Sequence, residues 1–190
     1  MAFIGMIIVI ALIVFILGFM AMYNGLVGKK NMVDMAFSTI DVQLKNRYDL
    51  IPNLVSTVKQ YAAHEKGVLE KITELRTRAV NLKESQSEQS LQINNEISKM
   101  LKGLMISVEN YPQLRANENF MQLQGQLSEM EAQIAAARRT YNAAITDYNN
   151  ALEMIPTNIM ATLMGYRRKS VLETSTEERQ NVKVDKLFNS

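Results

Sequence analysis

From Met1 to Tyr23 the chain contains no Lys, Arg, Asp or Glu, and that stretch constrains everything that follows it. A helix needs roughly 20 apolar residues to cross a bilayer core. The run FIGMIIVIALIVFILGFMAMY has that length. A cleaved signal peptide is the competing reading, but such peptides begin with a basic region, carry a shorter apolar core and end at a small-x-small site. Here no basic residue precedes the run, and Phe19-Met20-Ala21 is a poor cleavage site. The expectation is an uncleaved single-pass anchor over residues 1–23. Lys29 and Lys30 follow it. The positive-inside tendency therefore places the remainder in the cytoplasm, with both lysines near the membrane surface.

Beyond the anchor the apolar spacing is helical. Starting at Val33, steps of three or four reach Phe37, Ile40, Leu44, Tyr48, Ile51, Val55, Val58, Ala62, Glu65, Leu69 and Ile72. Glu65 is the one exception in a stripe whose mean step matches a packed helix. Pro52 sits inside this stripe, beside Asn53. A proline removes one backbone donor and crowds the carbonyl four residues earlier, here that of Tyr48. The stripe keeps its phase from Tyr48 to Val55, which favours a bent helix over a broken one. The alternative is a restart with Asp49 as N-cap, which would put Pro52 in a first turn.

ESQSEQS (Glu84 to Ser90) reads as a turn. Ile93, Ile97, Leu101, Leu104 and Val108 form a further helical run, and NYPQLRANEN (Asn110 to Asn119) a second turn or kink. The last run goes through Phe120, Leu123, Leu127, Met130, Ile134, Ala137, Tyr141, Ala144, Tyr148, Leu152 and Ile155, and Pro156 ends it. The fold class is all-α, an antiparallel bundle of long helices over residues 24–155. If His64-Glu65-Lys66-Gly67 is a turn, it is a four-helix bundle. If residues 24–83 are one bent helix, it is a long hairpin. In both, the last helix returns toward the membrane. If Ile155 returns to the level of Asn24, Asp41 faces Arg138 and Asp49 lies near Met130. Residues 171–190 are polar and expected to be loosely ordered.

The pattern Ile-Asp-Val-Gln-Leu from Ile40, then Arg47, then Asp-Leu-Ile-Pro-Asn-Leu-Val from Asp49, then Tyr-Ala-Ala-His-Glu from Tyr61, is specific. With YNGLV (Tyr23 to Val27), RRTYNAAITDYN (Arg138 to Asn149) and IPTNIMATLMGY (Ile155 to Tyr166), it resembles the bacterial LemA family over nearly the whole chain. The resemblance implies a helical bundle on a single transmembrane helix in the bacterial cell envelope, with no catalytic activity established. The tail YRRKSVLETSTEERQNVKVDKLF departs from the family's Phe-rich acidic stretch, so no tail function is carried across.

The residues offer little site chemistry. Cysteine is absent, which excludes disulfides and thiolate sites. His64 is the single histidine, and the Glu-x-x-His repeats of bundle metal sites are missing. No nucleophile elbow, phosphate loop or dinucleotide fingerprint occurs. The reading is a non-enzyme with no metal and no cofactor. A net charge of +2 implies no nucleic acid partner.

Asp41, Lys45, Arg47 and Asp49 are read on the helix face away from the apolar stripe. That face is either solvated or a mixed-charge assembly surface. The register and assembly candidates are thus Asp41, Arg47, Asp49, Pro52, Asn53 and Arg138. Residues 156–170 combine apolar side chains with Arg167, Arg168 and Lys169. They read either as a membrane-interfacial segment or as a loop tucked over the bundle end. The expected function is a scaffold that self-assembles at the bacterial inner membrane, with the lipid bilayer and further copies of the chain as partners. A membrane-tethered sensor or adaptor with a ligand in the bundle is the alternative.

Overall fold

A computed structural model describes residues 2–82 and 87–172, all helix, turn or irregular chain. Helix α1 spans Ala2–Tyr61, α2 Lys66–Val80, α3 Ser87–Ser107, α4 Pro112–Arg115, α5 Glu118–Glu153 and α6 Thr157–Leu163. The chain divides into two compact units, residues 37–137 and residues 1–36 with 138–190.

The first of these is a four-helix arrangement. Helix α1 passes through Pro52 without a break, so the restart at Asp49 does not occur. It stops at Tyr61 instead. Ala62 leaves helical geometry (φ −125°, ψ 67°), and Ala63–Glu65 form one 3₁₀ turn before α2. The single bent helix over residues 24–83 is therefore corrected to two helices joined at the His64-Glu65 turn. Phase alone could not show this, because so short a 3₁₀ link lets the apolar spacing continue across a reversal. Arg76 of α2 reaches Tyr48 of α1, which sets α2 antiparallel to α1. Helix α3 packs on α2 and runs back up beside α1, with Arg47 bonded to Asn94 and Ser98. Val108–Asn110 and α4 make the next link. Asn117 then caps α5, its Oδ1 accepting from the Phe120 N–H at 3.0 Å.

Helix α5 is antiparallel to α1, with Arg47 opposite Glu131 and Tyr61 opposite Asn117. That lies within about one residue of the register in which Ile155 would return to Asn24. Ile40, Leu44, Ile51, Leu54, Val58, Ile72, Leu75, Ile97, Leu104, Leu114 and Phe120 are the deeply buried residues of this unit. Of the turn expected at Glu84–Ser90, residues 87–90 are helical and belong to α3, and 84–86 lie outside the described residues.

The second unit holds the apolar N-terminal helix. The apolar window of α1 is long enough to cross a membrane and none of it is buried. Below it, Leu26 packs on Met160 and Ala161 of α6, and Val33 packs on Ile145 and Tyr148 of α5. Helix α5 ends at Glu153, so Ile155 is not the last rung of the stripe. It is 83% exposed in the turn before a cis Pro156. Ile145, not Ala144, is the fully buried neighbour of Tyr148. Helix α6 closes with a Schellman motif: Tyr166 N–H bonds to Ala161 O and Gly165 N–H to Thr162 O. Gly165 takes φ +67°, a conformation that costs glycine nothing.

Candidate functional site

Arg47 is the main correction to the sequence reading. It does not lie on the outer face; it is 2% exposed among three helices. Steps of three and four from Leu44 reach Arg47, Ile51, Leu54 and Val58 as readily as they reach Tyr48, so Arg47 occupies a core position of the heptad. Its Nη1 donates to Asn94 Oδ1 at 3.0 Å and to Ser98 Oγ at 2.8 Å, and lies 2.9 Å from Glu131 Oε2. Ser98 Oγ in turn donates to Glu131 Oε1 at 3.3 Å. A buried cation survives only when paired and hydrogen-bonded. Here one guanidinium ties α1 to α3 and α5. Asn94 and Ser98, four residues apart on α3, were not singled out in the sequence. Their i,i+4 spacing next to an apolar run was the available signal.

Pro52 behaves differently from a catalytic kink. Its missing N–H leaves the Tyr48 carbonyl without its intrahelical donor. Arg76 Nε supplies one at 3.0 Å. The same guanidinium lies 4.0 Å from the exposed Asp49 carboxylate. Burial pushes the Tyr48 phenol up from its ordinary value, so it stays neutral at physiological pH. Asn53 is exposed and lines a shallow groove of about 420 Å³ with Ser56, Thr57, Asn119, Gln122 and Gln126. Asp41 is exposed on α1, and Arg138 half-buried on α5. His64 is exposed in its turn, and Tyr111 Oη donates a long 3.4 Å bond to the neighbouring Glu65. Among the described residues no group of His, Asp and Glu could hold a metal ion.

The five basic membrane-surface candidates all fall in the unit that carries the apolar helix. Lys29 pairs with Asp147 at 3.1 Å and Lys30 with Asp34 at 3.4 Å. Arg168 pairs with Glu153 at 2.7 Å, and Lys169 with Asp34 at 3.0 Å. Lys169 Nζ also sits 6.0 Å from the Tyr148 ring centroid. Arg167 is exposed. Burial pushes the Asp34 carboxyl up, but the hydrogen bond and charge of Lys169, joined by Lys30, outweigh it and leave the group below its ordinary value. Burial raises Tyr141 and Tyr148.

Two asparagines hold the segment after Gly165 in place. Asn149 Nδ2 donates to Lys169 O at 2.8 Å, and its Oδ1 accepts from Lys169 N–H at 3.0 Å. Asn142 does the same for Leu172, at 2.9 and 2.8 Å. Two heptad-spaced residues lie about 10.5 Å apart along a helix. Three extended residues span about 10 Å. The two spacings match, so each side-chain amide reads the backbone N–H and C=O of one residue of an extended strap. The last described residues of the chain are therefore tucked along α5. The heptad spacing of Asn142 and Asn149 is visible in the sequence, but its partner is backbone and leaves no pattern.

These features define a class: an all-α bundle continuous with an N-terminal helix of membrane-spanning length, held by structural ion pairs. The LemA family model matches residues 36–185, and the chain belongs to the LemA family. It is 25% identical over 166 residues to Protein LemA of Metamycoplasma hominis, covering 87% of this chain and 75% of that protein. It is 26% identical over 184 residues to Magnetosome protein MamQ 2 of Paramagnetospirillum magneticum, covering 84% of this chain and 68% of the relative. The MamQ of Magnetospirillum gryphiswaldense is 24% identical, with the same coverage. None of these names states a reaction.

Proposed function

We propose that this protein is a non-enzymatic, membrane-anchored scaffold of the bacterial inner membrane that works by association with further copies of itself. The observation that carries the reading is the continuity of α1: one helix supplies both the membrane-length apolar window and a wall of the bundle. Single-pass anchoring confines copies to a plane and raises their effective concentration. Met32 and Met35, one turn apart and exposed on α1, supply apolar contact area for such a neighbour. The names of the MamQ relatives attach them to a magnetosome and to no reaction, which suits a structural role. Lys29 and Lys30 favour a cytoplasmic bundle. The mass of the intact particle in detergent tests the proposal. A defined oligomer is expected; a monomer at high concentration overturns it.

A sensor or adaptor is the second reading, favoured by the uncharged polar groove around Asn53. A dimer or monomer with a ligand retained in that groove through purification would replace the scaffold reading.

A further inference from the structure

From Met154 to Tyr166 the chain carries no charged residue. Within it Met154 (62%), Ile155, Ile159 (61%) and Leu163 (72%) are exposed. Ile159 and Leu163 stand four apart, on one side of α6. Met160 and Ala161 lie on another side and are buried against Leu26. That contact fixes the height of α6. Leu26 follows Tyr23, the last residue of the apolar run, by three residues, or about 4.5 Å of helix rise. The headgroup layer of one leaflet is about 5–8 Å thick. Helix α6 thus stands where α1 leaves the hydrocarbon.

We propose that Met154, Ile155, Ile159 and Leu163 form an apolar foot that inserts into the bilayer beside the anchor. The occupant of this face is lipid, because the face is continuous with a helix that itself requires lipid; the inference rests on the anchor reading. The two threonine hydroxyls of α6 are already satisfied, which lowers their cost of leaving water. Thr157 Oγ1 donates to Ala151 O and Met154 O, at 2.6 and 2.9 Å. Thr162 Oγ1 donates to Asn158 O at 2.9 Å. Of the basic residues that follow, Arg168 and Lys169 are engaged by Glu153 and Asp34 and Arg167 is exposed, so insertion falls to the four apolar side chains and charge can add only a surface attraction.

The cysteine-free chain permits a direct test. Ile159→Cys, Leu163→Cys and, as a control in the other unit, Met121→Cys are each labelled with a polarity-sensitive dye. The full chain is reconstituted in phosphatidylcholine vesicles with and without brominated acyl chains. At 159 and 163 the emission shifts to the blue, and brominated lipid quenches most of it. At 121 it stays unquenched. Blue-shifted but unquenched emission at 159 and 163 overturns the proposal in favour of a protein neighbour. Water-like emission there overturns it outright. Flotation of the same vesicles separates the two readings. A chain that floats without quenching keeps its anchor and loses the foot; a chain that does not float loses both.

Discussion

The bond from Arg76 to the Tyr48 carbonyl makes a prediction about coupling. Arg76→Met keeps most of the apolar stem and removes the donor. A hydrogen bond from a charged group is worth about 1.5–3 kcal/mol, and the carbonyl belongs to a residue that is itself buried. The Arg76 side chain is 30% exposed, so water can replace part of the bond, and the lower end of that range applies. The 4.0 Å pair with Asp49 adds at most a few tenths of a kcal/mol, because Asp49 is mostly exposed. The expected cost is about 1.5 kcal/mol, or a fall of about 5 °C in Tm for a domain of this size.

In a Pro52→Ala background the cost changes. The substitution restores the backbone N–H that an uninterrupted helix directs at the Tyr48 carbonyl. Arg76→Met then costs only about 0.5 kcal/mol, because the carbonyl is no longer orphaned. The coupling between the two sites is about 1 kcal/mol. Thermal unfolding of the detergent-solubilised chain by far-UV circular dichroism, on all four variants, measures it. If Arg76→Met costs the same in both backgrounds, to within about 0.3 kcal/mol, Arg76 is not the surrogate for the proline's missing donor.

The other predictions concern the remaining polar contacts. Arg47→Met strands the buried Asn94 amide and should cost about 1–3 kcal/mol, whereas Arg47→Met with Asn94→Leu should recover most of it, read by the same melts. Asn149→Leu removes two bonds to Lys169, a loss of about 1–2 kcal/mol, and should speed tryptic cleavage after Arg167 or Arg168 by roughly five- to thirtyfold. Asp34, facing Lys30, Lys169, Tyr141 and Tyr148, has a folded pKa below its unfolded one. Its contribution is therefore complete above the ordinary carboxylate value and lost as pH falls through the lowered one. The Tm difference between wild type and Asp34→Asn should be flat from neutral pH to about pH 4 and shrink below it.

The long elements were legible because their apolar residues repeat with one period, and Phe120, Leu123, Leu127 and Ile134 are buried as that period requires. Periodicity misleads where neighbouring positions compete. Tyr48 and Arg47 both extend the stripe, and a charge read from sequence goes to the surface by default. Ala144 and Ile145 differ by one helical step of 100°, and the larger side chain takes the core. The polar contacts stayed hidden for another reason. Arg76, Asn142 and Asn149 each bond to backbone, which has no residue identity to match. Pro52 was the exception, because its chemistry names the carbonyl it abandons, that of Tyr48, before any partner is known.

The basic triplet shows how pairing changes a functional reading. Taken from sequence, Arg167, Arg168 and Lys169 suggest attraction to anionic headgroups, worth about 1 kcal/mol per cation near such a surface. In the fold, Arg168 and Lys169 answer to Glu153 and Asp34, while Lys29 and Lys30 answer to Asp147 and the same Asp34. Three carboxylates thus meet five cations, because Asp34 serves both Lys30 and Lys169, and a local charge of +2 is left over. Under the proposal the hold on lipid comes from Ile159 and Leu163, with the remaining charge adding at most about 1 kcal/mol per cation. The distinction has a simple consequence. At 1 M salt the screening length shrinks to about 3 Å, which would release a foot held by charge. A foot held by buried apolar surface should keep its lipid quenching unchanged under the same conditions.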